Sequence, residues 1–328
     1  MAGIDGFHIA PDDLGFVGKA LKRPECVLCT SSGDIYVSRW GEDGGGVTRI
    51  AADGAQQDIV GTGAPLGTNG FAITPEGDFL IANLHPDASG AWRLRRDGSA
   101  EPYLTEIDGT PLPSANFVGV DRQGRTWITL STWLRPRFLA YRPEIADGFI
   151  ILVDERGPRI VADGIGYTNE AIVDPSGEWL YVNETMGRRT IRFPIREGGR
   201  LGLRETVAEY GHGVYPDGLA FDEEGGVWMT SVLSNRLIRI APDGSQSVVV
   251  EENDPEELAR IEEIYLAGDL DHATMNSLPA GIMKSISSLA FGGPDRRTVY
   301  LGNLKDDRLY SFRSPVAGAE PAHWNFTW

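Results

Sequence analysis

Six times along the chain the same phrase returns: a polar residue, an apolar stretch, a D/P-x-x-G turn, a second apolar stretch, then a third ending near Asp-Gly. The copies open at PECVLCTSSGDIYVS, TNGFAITPEGDFLIAN, ANFVGVDRQGRTWIT, TNEAIVDPSGEWLYVNE, PDGLAFDEEGGVWMTS and SISSLAFGGPDRRTVYLGN. Five carry glycine eight residues after the leading polar residue, at Gly33, Gly77, Gly124, Gly177 and Gly225, where a tight hairpin needs positive φ. The sixth has a longer turn, Gly292-Gly293-Pro294-Asp295. Repeats roughly 45–55 residues apart, each reading as several short strands, specify a propeller rather than a helical solenoid. The first two strands of each copy are apolar on both faces, as expected of a blade packed between two neighbours. A β-sandwich would explain the strands but not their register. The sequence therefore predicts an all-β, six-bladed β-propeller, a single domain spanning residues 1–328.

The register breaks in two places. The third copy carries a long aromatic connection, STWLRPRFLAYRPEIADG. Between the fifth and sixth lies an insertion over about residues 251–284. In it Asp254 is a plausible N-cap, Pro255 sits at the first helical position, and Leu258, Ile261, Ile264 and Tyr265 share one apolar face. This predicts a short amphipathic helix serving as a lid. A segment around Leu14–Ala20 is expected to supply the outer strand of the last blade, because closing the ring removes sheet edges.

Composition narrows the partners. A net charge of −17 argues against nucleic acid and anionic membranes, and no run of about 18 apolar residues suggests a span. The opening MAGIDGFHIAPDD lacks a basic stretch followed by an apolar one, so it does not read as a secretory signal. Cys26 and Cys29 are the only cysteines. No second C-x-x-C pair exists to complete a zinc site, and their odd separation points them to opposite faces of a strand. Two buried, unpaired thiols are expected, in keeping with a reducing cytoplasm.

Aligned on the shared strand, the copies place Glu25, Asn69, Asn116, Asn169, Asp217 and Ser287 at one equivalent position. In a propeller the first strand of each blade lines the channel, so these side chains converge near the axis. They could simply cap strands and bind channel water. Two carboxylates among amide oxygens, however, repel one another unless one is protonated or a cation intervenes. An all-oxygen donor set suits a hard divalent ion. Calcium, with its loose geometry, fits best; Zn²⁺, Mg²⁺ and Mn²⁺ are alternatives.

The phrases PECV, TNEAIVDPSGEWLYVNET, RRTIRFPI, YPDGLAFDEEGGVW and SLAFGGPDRRTVYLGNL resemble the gluconolactonase / senescence-marker-protein (regucalcin) family, which is similar also to diisopropylfluorophosphatase. The resemblance covers roughly residues 20–315 and implies a propeller hydrolase with one divalent metal. By motif position it makes Glu25, Asn169 and Asp217 metal ligands and Asn116 a further ligand or substrate contact. Sugar-lactonase members read Arg-x-Asn-Asp in the third blade, where this chain reads Ser114-Ala115-Asn116-Phe117. Loss of the arginine and gain of Phe117 suggest a substrate less polar than a sugar lactone.

The same end of the channel should carry Trp40, Asn69, His85, Trp133, Phe138, Tyr141, Tyr167 and His212. Asn116, Asn69 and Trp133 are the expected substrate contacts, and neither histidine is assigned a role. The reading that follows is hydrolysis of a lactone or related ester of small size, with Asp217 as general base. A metal-dependent lyase, isomerase or phosphotriesterase is the alternative on the same site, and a non-enzymatic binding propeller is the third.

Overall fold

The computed structural model describes residues 4, 6–277 and 281–328. Residues 278–280 of the expected lid, and 1–3 and 5 of the opening stretch, lie outside the described residues.

The hairpin turns are held by a recurring aspartate. Asp121 Oδ1 accepts from the Gln123 and Arg125 amides while Oδ2 accepts from Trp127 Nε1 at 2.9 Å and Arg125 Nε at 2.7 Å. Asp222 repeats the arrangement with Glu224, Gly226, Trp228 and Arg239. The glycine that completes each turn is at positive φ, from 75° at Gly124 to 87° at Gly77. A side chain there would strain the hairpin, which is why the glycines recur in register.

Among the described residues these hairpins build six four-stranded antiparallel sheets. Their inner strands are Val27–Cys29, Thr68–Ile73, Ala115–Val120, Thr168–Val173, Pro216–Phe221 and Ile286–Gly292. The sixth sheet takes its outer strand from the other end of the chain: Gly15–Val17 pairs antiparallel with Leu309–Arg313, Phe16 opposite Tyr310. The ring therefore closes as expected, and the fold is a six-bladed β-propeller. Its apolar core is divided into wedges, one between each pair of neighbouring blades. Cys26 lies in the wedge between blades one and two and Cys29 in that between blades six and one, both as free, buried thiols. No helix among the described residues is long and apolar enough to cross a membrane.

The insertion folds as helix α1 (Pro255–Leu266) and a short helix α2 (His272–Met275). Asp254 caps α1 by accepting from the Glu256 and Glu257 amides, and Pro255 fills the position where a missing N–H has no consequence. Leu258, Ile261 and Tyr265 are buried, and Ile264 is partly buried beside them.

A C-terminal tail with no counterpart in the repeats crosses the far end of the channel. The Ala319 amide donates to Phe221 O of blade five, Arg122 of blade three donates to Glu320 O, and the Ser31 amide of blade one donates to Trp324 O. Phe326 and Trp328 then pack on Tyr36, and Trp328 also stacks on Phe79 of blade two. Between tail and channel lies an apolar cavity of about 300 Å³ lined by Phe71, Phe117, Ile172 and His323, among others. Trp324 is 6% exposed, so Trp324→Ala should cost about 3–5 kcal/mol in chemical denaturation, as large-to-small core changes do. An unchanged midpoint would show the tail to be passive.

His323 keeps some exposed surface, but its Nε2 is buried without a hydrogen-bond partner. Burial pushes the imidazole down to about 4 from its usual 6.5. The unfolded chain then takes up the proton first, so stability is complete above pH 6.5 and declines as pH falls toward 4. His323→Leu should show a shallower fall in melting temperature across that window than the parent.

Candidate active site

The inner strands do not run straight through the ring positions. Register shifts fall between Thr68 and Phe71, Ala115 and Phe117, Thr168 and Ala171, Pro216 and Leu219, and Ile286 and Leu289. Such bulges insert an extra residue and re-aim its side chain. The displaced residues include Asn69, Asn116, Asn169, Asp217 and Ser287, so the bulge turns the polar position toward the axis.

Each bulge is held by the preceding blade. Arg23 Nη1 donates to Thr68 O at 3.3 Å, Asn69 Nδ2 to Asn116 O at 2.9 Å, and Ser131 Oγ to Thr168 O at 3.0 Å. Thr185 Oγ1 donates to Pro216 O and Thr230 Oγ1 to Ser287 O, both at 2.7 Å. Ser287 Oγ donates to Glu25 O at 2.8 Å and completes the circuit.

Glu25, Asn69, Asn116, Asn169 and Asp217 line one cavity of about 470 Å³ at this end of the channel. Ser287, the sixth equivalent position, is not among its walls and serves the inter-blade bond instead. Asn69 ties the two neighbouring blades, donating to Asn116 and accepting from Arg23 Nη2 at 2.9 Å. Asn116 donates to Ser131 Oγ at 2.9 Å while its Oδ1 accepts from Asn69 at 3.2 Å, which leaves one lone pair. Asn169 is different. Its Nδ2 is fixed on Thr185 Oγ1 at 2.9 Å, and its Oδ1 is buried with no partner, as is Glu25 Oε2.

Burial pushes the Asp217 carboxyl well up from the carboxylate range, and the Glu25 charge pushes it further, against the pull of Asn169, Arg23 and Arg137. Burial also raises Glu25, opposed by Arg23 and Arg137. Among the described residues no three His, Cys, Asp or Glu side chains converge, so a cation here would rest on two carboxylates and amide oxygens. The unsatisfied Glu25 and Asn169 oxygens fit that hard donor set.

Glu170 is buried, but its Oε2 accepts from the Leu219 amide of the next blade at 2.9 Å, a structural bridge. Phe117 does not face the mouth. The bulge sends it into the wedge between blades one, two and three, where Gly70 makes room: a Cβ there would lie 2.4 Å from the Phe117 ring. Trp133 likewise stays outside the cavity, 37% exposed and stacked on Phe149 with centroids 4.2 Å apart. Its connection contributes Leu134, Arg137, Phe138 and Tyr141 to the wall instead. His85 caps a 3₁₀ turn beside the rim and His212 is exposed, while the lid brings His272, Met275 and Asn276 to the mouth.

Arg23 and Arg137 both line the cavity, and nothing in the repeat register had singled them out. The connection's aromatics stand out in the sequence; its cation does not. Burial acts against the charge on Arg137, but Tyr167, Tyr141, Glu25 and Asp217 outweigh it and hold the guanidinium protonated.

The lid is seated by an ion pair: Arg188 Nη1 and Nη2 each lie 2.7 Å from a Glu262 oxygen, with the guanidinium 3.9 Å from the Tyr265 ring centroid. Arg188→Met should therefore speed amide exchange over residues 255–266 at least tenfold, since charged hydrogen bonds contribute about 1.5–3 kcal/mol. Unaltered exchange would mean the apolar face alone seats the helix.

A six-bladed ring with a polar mouth under a lid describes a class that comparison narrows. The family model described as SMP-30/Gluconolactonase/LRE-like region matches residues 60–253, and the chain belongs to that family. It is similar to 6-deoxy-6-sulfogluconolactonase of Pseudomonas putida, 26% identical over 242 residues that cover 73% of this chain and 69% of that one. Among solved structures it is similar to a gluconolactonase of Xanthomonas campestris, with a TM-score of 0.67, 19% identity and coverage of 92% and 90%. It is similar also to regucalcin of Agrobacterium tumefaciens, a calcium-binding protein, with a TM-score of 0.66, 17% identity and coverage of 96% and 97%. At these identities the structures speak to the fold alone.

Proposed function

We propose that this chain is a divalent-metal-dependent hydrolase that opens a lactone or related ester. Membership in the gluconolactonase-like family supports the reaction class. The observation that carries the metal is the pair of buried, unsatisfied acceptors, Glu25 Oε2 and Asn169 Oδ1, in one cavity with the Asp217 carboxylate. Glu25, Asn169 and Asp217 would hold the ion, with Asn116 offering its remaining lone pair; calcium is the first choice. When bound, the ion would supply Lewis-acid polarisation of the carbonyl group.

The remaining chemistry falls to the chain. Asp217 is the general base: its carboxylate takes a proton from the attacking water as the water oxygen bonds to the carbonyl carbon. The ring C–O bond then breaks and the proton passes to the departing alkoxide. Rigidity comes from three consecutive pinned carbonyls. Thr185 donates to Pro216 O at 2.7 Å, and Asn183 Nδ2 to Asp217 O and Gly218 O at 3.0 Å each. Such fixing keeps a base in near-attack geometry.

A substrate less polar than a sugar lactone is supported by a wall other than Phe117. Trp40, Leu134, Phe138, Val232, Met275 and Leu304 all face the cavity. Aliphatic and aromatic lactones are therefore the compounds to assay.

Asp217→Asn should fold, with a melting temperature in chelator no lower than the parent's, because burial and the Glu25 charge already favour the neutral acid, which the amide resembles. It should lose the stabilisation that calcium gives the parent, about 2.7 kcal/mol at a hundredfold excess over Kd, and lose activity by at least about a thousandfold. Retained turnover in Asp217→Asn, or full lactone turnover in chelator, would overturn the reading.

A further inference from the structure

The unsatisfied polar atoms of the cavity sort into two chemically opposite sets. Glu25 Oε2 and Asn169 Oδ1 are acceptors and call for a cation. Arg137 Nη1 and the Tyr167 hydroxyl are donors, both buried and both without a hydrogen-bond partner. Tyr167 lies close to Tyr141 and Ser131 without a normal hydrogen bond to either. The two donors are neighbours, the Arg137 guanidinium lying 5.8 Å from the Tyr167 ring centroid, and both residues line the cavity. A buried donor left unsatisfied is costly, more so when it is charged, so a site that keeps two of them together is incomplete without an acceptor.

Charge leads to the same place. The walls carry Arg23, Arg135 and Arg137 against Glu25 and Asp217, so a divalent ion that ionises both carboxyls leaves the mouth about three charges positive. Arg135 is exposed and donates to Pro111 O. Arg23 is already committed to Thr68 O and Asn69 Oδ1, which leaves Arg137 as the buried cation with a free donor.

We propose that Arg137, with the Tyr167 hydroxyl, forms an anion subsite, and that the substrate is an ester or lactone carrying a carboxylate or similar oxyanion on an apolar body. The charge argument rests on the metal reading above; the paired orphan donors do not. Arg137 holds the substrate's anionic group and Tyr167 completes its hydrogen bonding, while the walls of Leu134, Phe138, Val232 and Leu304 take the body. A planar guanidinium suits a two-oxygen acceptor better than an ammonium would.

The test uses calcium-loaded protein and two unreactive probes of one shape, 3-oxocyclopentane-1-carboxylate and cyclopentanone, in titration calorimetry. The acid should bind at least tenfold tighter than the ketone. Arg137→Gln should weaken the acid about tenfold and leave the ketone unchanged. Arg137→Lys should recover part of the loss, and Tyr167→Phe should weaken the acid two- to fivefold. Equal binding of the two probes, no binding of either at millimolar concentration, or a preference surviving in Arg137→Gln would overturn the subsite. Turnover of 5-oxotetrahydrofuran-2-carboxylate against γ-valerolactone separates the two readings. Binding preference without hydrolysis leaves the subsite standing and removes the hydrolase; hydrolysis of both lactones at equal kcat/KM removes the subsite alone.

Discussion

The structure depends on a closed circuit of six hydrogen bonds in which each blade donates to a carbonyl at the start of the next blade's inner strand. A bulge frees carbonyls that a regular ladder would use. Left unpaired in a buried channel they would be costly, and the neighbouring blade supplies the missing donors. The same device therefore satisfies the backbone, joins the blades and turns the ring side chains inward. Blade identity differs only in the donor: Arg23, Asn69, Ser131, Thr185, Thr230 and Ser287. Where the donor is a ring residue itself, as with Asn69 and Ser287, it is committed to architecture. Where a hydroxyl at the end of the second strand takes that task, as at Ser131, Thr185 and Thr230, the ring residues of the same blades, Asn116, Asn169 and Asp217, are left for chemistry.

That division marks how far the sequence could be read. The six copies, the turn glycines, the closing strand near Gly15–Val17 and the Asp254-capped helix were legible because each follows a local rule of period, φ or capping. Convergence of Glu25, Asn69, Asn116, Asn169 and Asp217 was legible from register. The bulges were not, since Asn-Gly, Asn-Phe, Asn-Glu, Asp-Gly and Ser-Ser share no common signal. The third-blade comparison that set Phe117 against the substrate therefore misplaces it, because Phe117 enters the core.

Two other features escaped for a different reason. Arg137 sits in an irregular connection, where no periodicity relates residue to direction, and only the folded chain shows its Nη1 beside Tyr167 without a partner. The tail beyond Ser314 lacks any repeat, and its one signal was three aromatics, Trp324, Phe326 and Trp328, in the last five residues. It gives the channel unequal ends, one crossed by the tail over apolar side chains and the other polar beside the insertion.

The pairing of Gly15–Val17 with Leu309–Arg313 also orders events during synthesis. Gly15–Val17 has no partner until nearly three hundred further residues have left the ribosome. Five blades can assemble as their hairpins emerge, but the sixth has to wait, and the circuit through Ser287 and Glu25 waits with it. Because the ring residues are aimed by that circuit, a nascent chain stopped short of the last blade would carry Glu25, Asn169 and Asp217 without the arrangement that brings them together. The cavity therefore takes shape abruptly, with the sixth blade, rather than blade by blade.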